Sequence, residues 1–307
     1  MITKKNLGDY LPELQGSNKE KLRIEDVLSH QAGLQAWIPF YLKSIDKSGK
    51  YRPGYYSKKG SDDFPILVAK NLYAVKGFND SIYAKVLESK IENPGKYLYS
   101  DLGYYFMQRI IESQTQMPLN KYVGDLYFKL GLGLTYHPLQ YLSKTQIAPT
   151  ENDEKFRKQI VQGYVHDPGA ALMGGVAGHA GLFGNALDVA RLMQFFLNKG
   201  QLNGERLLDS NVVKDFTSCH FCPQNRRGLC FEKPETDPKK DSPVTSECSP
   251  ESFGHAGFTG TFAWADPKNK LVFVFLSNRV YPNAEENKLT KLGIRGKIHK
   301  AFYEATR

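Results

Sequence analysis

The sequence predicts an α+β protein, with an antiparallel sheet flanked by helices and a second, mainly helical lobe. Two observations carry this prediction. Apolar residues recur at helical spacing in the first two thirds of the chain, and three short apolar runs separated by tight turns come after residue 252. Helices and strands that are grouped in separate parts of a chain are typical of the α+β class.

The composition is that of a folded, basic chain of 307 residues. Hydrophobic residues make up 41% and charged residues 24%, which provides a core and excludes a disordered chain. No apolar run reaches the roughly 18 residues of a membrane-spanning helix. The net charge of +9 comes from scattered Lys and Arg residues rather than from a basic stripe, so we predict no nucleic-acid partner.

The first ten residues contain no apolar core of a signal peptide. The sequence therefore predicts either a cytosolic protein or a chain whose natural beginning lies upstream.

Helices are predicted over about residues 20–210. Residues 22–29 form a short helix before a turn at Gly33, and a helix of about four turns begins after residue 101. A third helix is predicted over residues 186–198, and Gly200, just after it, is the residue that terminates it. Residues 37–65 are rich in Pro, Gly and aromatic residues, which predicts a long irregular segment.

Strands are predicted at residues 253–258, 261–265 and 271–277, followed by a helix over 287–307. The run 271–276 is apolar on both faces, which is typical of a buried central strand with two neighbours. Only one neighbour, the strand at 261–265, is visible in the sequence. We therefore expect one domain over residues 1–307 from which some sheet strands are missing.

Four cysteines lie at positions 219, 222, 230 and 248, in a segment (217–252) predicted to be a surface excursion. The first pair has the spacing of a zinc ligand pair, but the second pair does not. We expect thiols or disulfides here, and no metal or other cofactor in the protein.

Three stretches match a known pattern: residues 23–34, the group Pro94-Gly95 with 99–101, and residues 253–261. Residues 165–167 and 174–184 extend the match over nearly the whole chain. The sequence resembles the serine β-lactamase and penicillin-binding-protein superfamily, in its class C-like branch. It is similar to the serine-hydrolase domain that follows a family 3 glycoside hydrolase domain in some bacterial proteins.

This resemblance implies a helical lobe and a sheet lobe that meet at a cleft. It implies acyl transfer on a cell-wall peptide, a β-lactam or a small ester through a serine ester, without a cofactor. The partners would be the small-molecule or peptide substrate and, in the parent protein, an upstream glycoside hydrolase domain. The implied location is the periplasm or cell envelope.

The family's nucleophile motif, Ser-x-x-Lys, is absent from the position before residue 29. The one literal match, from Ser44 to Lys47, falls downstream in a predicted loop and is attributed to chance. We expect that the chain begins inside the domain and is inactive as given. A non-catalytic module that binds a cell-wall ligand or a partner domain remains the alternative.

Tyr99 and Asp101 are candidate catalytic residues by their place in the pattern. Tyr99 matches the tyrosine of the family's Tyr-x-Asn motif, whose hydroxyl relays protons between nucleophile and leaving group; the alternative is a core tyrosine. Asp101 stands where the family has Asn. An ionised carboxylate accepts hydrogen bonds but donates none to a substrate carbonyl.

His255 is the third candidate catalytic residue, since it stands at the lysine of the family's Lys-Thr-Gly strand. A histidine there predicts a site whose charge depends on pH near neutrality. The glycines at 254 and 257 are expected to leave room for a ligand, so Gly257 is a candidate substrate-binding residue. The backbone N–H of Phe258 is expected to form half of an oxyanion hole.

The histidines at 166 and 179, with Asp167, suggest a Ser-His-Asp arrangement or a metal site. No nucleophile elbow and no metal-binding spacing accompanies them. We expect His30 to cap or support its own turn.

Overall fold

The computed structural model describes residues 2–235, 237, 240 and 242–306, and its contacts divide the chain into two compact units. The first unit comprises residues 1–126, 135–183 and 281–283; the second comprises 127–134, 184–280 and 284–307. No helix in the described ranges is long and apolar enough to span a bilayer.

The first unit is mainly helical and contains two small antiparallel sheets. Residues 119–126 of α4 belong to it and the remainder of that helix to the second unit. Its elements are α1 (Ile24–Leu28), β1 (Tyr56–Ser57), β2 (Ile66–Ala69), β3 (Leu72–Ala74), α2 (Phe78–Glu88), α3 (Leu102–Thr115), α4 (Leu119–Lys129), β4 (Glu151–Asp153), β5 (Gln159–Val161) and α5 (Pro168–Leu172). The strand orders are β1-β3-β2 and β4-β5.

The helix predicted after residue 101 is confirmed as α3. Its buried apolar side chains are Leu102, Tyr105, Phe106 and Ile110, at the spacing of one helix face. The short helix predicted at 22–29 is also present, as α1. Residues 37–65 are largely irregular, as expected, with one 3₁₀ turn at Phe40–Ser44 and the two-residue strand β1.

The second unit contains the sheet predicted at the end of the chain. Its elements are α6 (Ala186–Leu197), β6 (Gln201–Leu202), β7 (Glu205–Arg206), α7 (Ser210–Thr217), β8 (Phe253–Ala256), β9 (Phe262–Asp266), β10 (Leu271–Phe275), α8 (Lys288–Lys291) and α9 (Ile294–Ala305). The sheet has the order β10-β9-β8 and is antiparallel, with Phe273 opposite Trp264 and Trp264 opposite Gly254.

Among the described residues the central strand of this sheet is β9, and β10 has only the one neighbour that the sequence showed. The expectation that a further strand beside β10 is missing stays a prediction. Phe273 packs with Phe262 and Phe302, while Val272 packs against the cluster of Met193 and Phe253. Because both faces of β10 are covered, its sequence is apolar throughout although one edge has no strand beside it.

The segment 217–252, predicted as a surface excursion, is partly buried. Leu229 and Val244 are buried, as is the charged side chain of Arg227. Arg227 pairs with Glu232 in a β-bridge, and Glu232 in turn bridges to Gly254 of β8. Within this segment, Glu232 therefore pairs with the outer edge of the sheet.

The helix predicted at the carboxyl end is present as α8 and α9, but its buried face differs from the expected one. Leu292 and Ile298 are exposed, whereas His299 and Tyr303 are buried. The ring of His299 stacks on Phe273, with centroids 4.5 Å apart. Aromatic stacking on the sheet therefore sets the rotation of α9, rather than the aliphatic residues.

Candidate functional site

In the first unit, the segment that carries Tyr99 and Asp101 is held by the segment that follows α1. The N–H of Gly95 donates to the carbonyl of Gln31 at 2.8 Å, and the N–H of Asp101 donates to Ala36 at 3.0 Å. The hydroxyl of Ser100 donates to the carbonyl of Gln35. The two sequence stretches that matched the family pattern in this unit are therefore neighbours, and one supports the other.

His30 makes the most specific contact to this segment. Its carbonyl accepts the N–H of Leu98, and its Nδ1 accepts the N–H of Ser100 at 3.1 Å. The ring of His30 lies against the ring of Tyr99, with centroids 4.3 Å apart and planes 30° apart. The expected support of a turn by His30 is therefore present, and it extends to a candidate catalytic side chain.

Tyr99 itself is 39% exposed, so it is not a fully buried core tyrosine. It lies two residues before Asp101, which is the residue immediately before α3. The prediction that residues 99–101 lie where this helix begins is confirmed. The positions of Tyr99 and Asp101 are compatible with the predicted roles, which remain predictions.

The carboxyl group of Asp101 is in a buried environment that disfavours its negative charge. Burial raises its pKa to about 6; the positive charge of His179 opposes this rise and the carboxylate of Asp167 adds to it. Near pH 6 the group is therefore partly protonated and then carries an O–H donor, as an asparagine carries an N–H donor. At pH 7 the carboxyl is mainly ionised and, unlike asparagine, accepts hydrogen bonds without donating any.

His179 and Asp167 form the pair that their sequence positions suggested. The Nε2 of His179 lies 2.9 Å from Oδ1 of Asp167, and the same oxygen accepts the N–H of Ala170 at the start of α5. Burial alone would raise the pKa of Asp167, but these hydrogen bonds and the charge of His179 hold it below its usual value. His166 contacts Glu151 instead, at 2.6 Å.

Among the described residues, the Nδ1 of His179 has no hydrogen-bond partner, so these groups form no Ser-His-Asp arrangement. Ser100 donates to Gln35. Ser44, in the one literal Ser-x-x-Lys, is buried, donates to the carbonyl of Tyr41 and shares a hydrogen bond with the hydroxyl of Tyr56 at 2.6 Å. The interpretation of the Ser44 motif as chance agrees with this environment.

In the second unit, His255 lies on β8 with both ring nitrogens in contact with polar groups. Nδ1 is 2.9 Å from the carbonyl oxygen of Ala256, and Nε2 is 3.4 Å from Nη2 of Arg227. A guanidinium only donates and a carbonyl only accepts. The proton of His255 therefore resides on Nδ1, and Nε2 is an acceptor.

The charge near His255 belongs to Arg227. This guanidinium is buried, and Glu232 lies 3.3 Å from its Nη1. Burial and the positive charge of Arg227 lower the pKa of His255, against the opposing charge of Glu232. The ring is therefore neutral at pH 7, and the pH dependence expected for this site stays a prediction.

The glycines at 254 and 257 allow neighbouring residues of the protein to pack closely against the backbone. A Cβ at Gly254 would overlap the ring of Trp264 and the carbonyl of Ala263, and one at Gly257 would overlap the hydroxyl of Thr261. The expectation that these glycines leave space for a ligand is therefore replaced by a packing explanation. The role of Gly257 in substrate binding stays a prediction.

Phe258 lies in the turn between β8 and β9. The turn is closed by hydrogen bonds from Gly257 to Thr261 and from Gly260 to Gly257. The side chain of Phe258 is 63% exposed, and Cζ of Arg279 lies 4.5 Å from its ring centroid. The role of its N–H in an oxyanion hole stays a prediction.

The cysteines at 219 and 222 are joined by a disulfide. A bonded pair supplies no thiolates to a metal. Among the described residues, no group of three or more His, Cys, Asp or Glu side chains has the arrangement of a metal site.

No sequence motif marks Arg227, which contacts His255, or Glu232, whose charge acts on that ring. These residues lie more than 20 positions before His255 in an irregular segment, and their spacing carries no motif. The contact of His30 with Tyr99 joins two stretches that each match the family pattern, but neither stretch indicates the contact by itself.

A family model described as "Beta-lactamase" matches residues 4–294. The chain belongs to the beta-lactamase family. The resemblance to β-lactamase and penicillin-binding-protein-like serine hydrolases is thereby confirmed, and the α+β fold with an antiparallel sheet agrees with it.

Two curated relatives resemble the chain over most of its length. A protein named putative D-alanyl-D-alanine carboxypeptidase from Salmonella agona is 31% identical over 89% of this chain and 62% of its own length. An N-acetylmuramyl-L-alanine amidase from Bacillus subtilis is 33% identical over 94% of this chain and 65% of its own length. The chain thus spans less than two thirds of these relatives.

Solved structures share the fold. A penicillin-binding protein homologue from Caulobacter crescentus superposes with a TM-score of 0.58 at 20% identity, over 91% of this chain and 71% of the other. A class C beta-lactamase gives a TM-score of 0.58 at 15% identity, over 97% and 74% of the respective chains. At these identities the likeness establishes the fold alone.

Proposed function

We propose that this chain binds peptides of the bacterial cell wall as part of a serine hydrolase that transfers their acyl group to a serine. The proposal rests on the half-exposed tyrosine of residues 99–101, held by His30, in a chain that resembles a carboxypeptidase and an amidase over about nine tenths of its length. The names of both relatives refer to amide bonds of cell-wall peptides.

Under this proposal, three residues that match the family's pattern would each have a role in acyl transfer. The hydroxyl of Tyr99 would take the proton of the attacking serine and return it to the leaving nitrogen. The N–H of Phe258 would stabilise the negative charge on the carbonyl oxygen. His255, neutral at pH 7, would serve as a hydrogen-bond acceptor rather than as a cation.

These 307 residues by themselves do not form an acyl-enzyme under this proposal. Ser44 is buried, and its hydroxyl is held by Tyr41 and Tyr56. A nucleophile has to reach the substrate carbonyl, and the buried hydroxyl of Ser44 does not.

The proposal is tested by covalent labelling and by binding, each on the full 307-residue chain. We expect no labelling by a fluorescent penicillin or a fluorophosphonate, as read by in-gel fluorescence and intact mass. We expect binding of N-acetylmuramyl-L-alanyl-D-glutamate by calorimetry, and weaker binding by the Tyr99→Ala variant because the exposed ring is lost. Labelling of Ser44, or absence of peptide binding, would contradict the proposal.

We further propose an envelope location. The disulfide between Cys219 and Cys222 is of the kind that persists in oxidising compartments, and the names of the two relatives are those of cell-wall enzymes. Fractionation of the native host, with thiol trapping of these two cysteines, tests this location. Recovery of the reduced protein in the cytosolic fraction would contradict it.

A further inference from the structure

A buried histidine packs against the start of α3, the helix that begins directly after Asp101. The ring of His179 lies on the ring of Tyr105, with centroids 4.7 Å apart and planes 32° apart. Tyr105 follows Asp101 by four residues, which is about one turn of a helix. A Cβ at Gly178 would overlap the carbonyl oxygen of Tyr104, so the backbone before His179 also packs on this turn. His179 is therefore held beside the end of α3 at which Asp101 lies.

Asp167 fixes the orientation of the His179 ring. The side chain of His179 is 3% exposed, and its Nε2 lies 2.9 Å from Oδ1 of Asp167. Against the effect of burial, the hydrogen bonds from His179 and Ala170 hold the pKa of Asp167 below its usual value. An ionised carboxylate only accepts hydrogen bonds, so the Nε2 atom of His179 carries a proton. Asp167 is itself tied to the start of α5, because its Oδ1 accepts the N–H of Ala170 at 2.7 Å.

Both members of this pair act on Asp101. Burial raises the pKa of Asp101 to about 6; the charge of His179 opposes this rise, and the charge of Asp167 adds to it. The second nitrogen of His179, Nδ1, is buried and hydrogen-bonds no group among the described residues. The ring therefore influences Asp101 through its charge rather than through a direct hydrogen bond.

Two other ionisable groups near this carboxyl are neutral at pH 7. Burial and the nearby carboxylates raise the pKa of Tyr105, so its hydroxyl keeps its proton. His30 accepts the N–H of Ser100 through Nδ1 at 3.1 Å, as only a neutral imidazole can. The positive charge that favours the ionised form of Asp101 therefore comes from His179.

We propose that His179, oriented by Asp167, is a positioning residue that keeps Asp101 a negatively charged hydrogen-bond acceptor at neutral pH. The inference rests on the proposed function, in which residues 99–101 meet the peptide ligand. An ionised carboxylate accepts N–H groups and offers no donor to a carbonyl oxygen. The ligand group that meets Asp101 is therefore an N–H donor, such as a peptide amide or an ammonium group.

Titration of the Asp101 carboxyl carbon by NMR tests this role without any ligand. With ¹³C-labelled aspartate and assignment from the Asp101→Asn variant, the wild-type midpoint should lie near pH 6. In His179→Gln, which keeps an N–H donor for Asp167 but carries no charge, the midpoint should move to higher pH. The matched control His137→Gln removes a ring that packs beside Gly175 in the same glycine-rich segment, and it should leave the midpoint unchanged.

Binding measurements then connect this charge to the ligand. Calorimetry with N-acetylmuramyl-L-alanyl-D-glutamate is carried out between pH 5.5 and 7.5, where the carboxylates of the ligand stay ionised. For the wild-type chain the affinity should rise about fourfold over this range, as the ionised fraction of Asp101 does for a pKa of about 6. The rise should occur at higher pH in His179→Gln and should be absent in Asp101→Asn.

Equal Asp101 midpoints in the wild type and in folded His179→Gln would overturn the inference, whatever the ligand does. A shifted midpoint without peptide binding would support the role of His179 and contradict the proposed function. Peptide binding that does not change with pH would overturn the assignment of an N–H donor to Asp101.

Far-ultraviolet circular dichroism verifies that His179→Gln is folded. If it is not, the wild-type chain alone decides the matter, because the ring nitrogen signals of His179 should shift with the same midpoint as Asp101. Nitrogen signals that do not respond as Asp101 titrates would then overturn the inference.

Discussion

Two arginines that the sequence does not mark as unusual are fully buried and organise their surroundings. Arg227 faces His255 and Glu232, and so places a permanent charge beside a neutral ring. Arg157 donates to Asp153 and to the carbonyls of Val165 and His166. In both cases the guanidinium keeps its positive charge and so influences the protonation of the neighbouring groups.

The protonation state of His255 gives a direct test at the residue scale. Because burial and the charge of Arg227 lower its pKa, the imidazole should titrate below its usual value of about 6.5. The Arg227→Met variant should raise this pKa, since the repelling charge is removed. Long-range ¹H–¹⁵N NMR spectra across pH 4–8 report both the pKa and the proton on Nδ1.

A proton on Nε2 in the wild-type chain at pH 7 would contradict the assigned hydrogen bonds. An unchanged His255 pKa in the Arg227→Met variant would show that burial alone controls this ring.

His299 makes the free energy of unfolding depend on pH. Burial lowers its pKa to about 4, against the opposing charge of Asp266. Below about pH 6.5 the unfolded chain binds a proton that the folded chain excludes, so stability falls as the pH is lowered towards 4. The loss attributable to this group is roughly 2–3 kcal/mol at pH 4.

The variant His299→Phe, which keeps a ring against Phe273, should have a weaker loss of stability between pH 6.5 and 4 in urea titrations. The control Lys297→Gln, on an exposed face of the same helix, should follow the wild-type curve. Parallel curves for wild type and His299→Phe would exclude His299 as the source.

At the element scale, short hydrogen-bonded segments position the residues of interest. The segment 30–36 runs beside residues 91–101 and holds Tyr99 through backbone groups. The two-stranded β4–β5 sheet is closed by Asp153, which accepts N–H groups of Phe156 and Arg157 and the Nε of Arg157. Such segments are too short to be stable alone and depend on the side chains that tie them down.

Replacing Arg157 should destabilise the β4–β5 sheet and the start of α5 together. The Arg157→Met variant leaves the buried carboxylate of Asp153 without its cation, which costs roughly 3–5 kcal/mol. Urea denaturation followed by circular dichroism measures the loss. The exposed Lys70→Met variant, which removes one positive charge from the same unit, should change stability by less than about 0.5 kcal/mol.

If Arg157→Met unfolds at the wild-type urea concentration, the buried ion pair adds no net stability. That result would contradict the prediction.

At the scale of the whole molecule, an unpaired sheet edge and a large net charge have opposite effects on self-association. In the described part of the chain, β10 has a strand on one side only, while the chain carries a net charge of +9. An apolar edge strand favours pairing with another molecule, and like charges oppose association until salt screens them.

We therefore expect the 307-residue chain to self-associate as salt concentration rises, detected by light scattering. The Leu271→Lys variant puts a charge at the start of β10 and should reduce this association. Leu187→Lys, at a residue of α6 that is 69% exposed, adds the same charge away from the edge and should reduce it less. A monodisperse wild-type chain at high salt would contradict the prediction.

The sequence by itself determined the family, the α+β class and the main elements. Helical spacing located α3 and α6, and the turns at 259–260 and 266–269 located the three strands of the sheet, because these signals are local along the chain. The tertiary structure decided which strand is central, which face of α9 is buried and which charge lies beside His255. The arrangement of the sheet depends on helices that cover β10 on both faces. The buried face of α9 depends on the stacking of His299 on Phe273. The charge beside His255 belongs to Arg227, which lies 28 residues before it in the chain. Contacts between segments distant in sequence have no local signature, so only the folded chain reveals them.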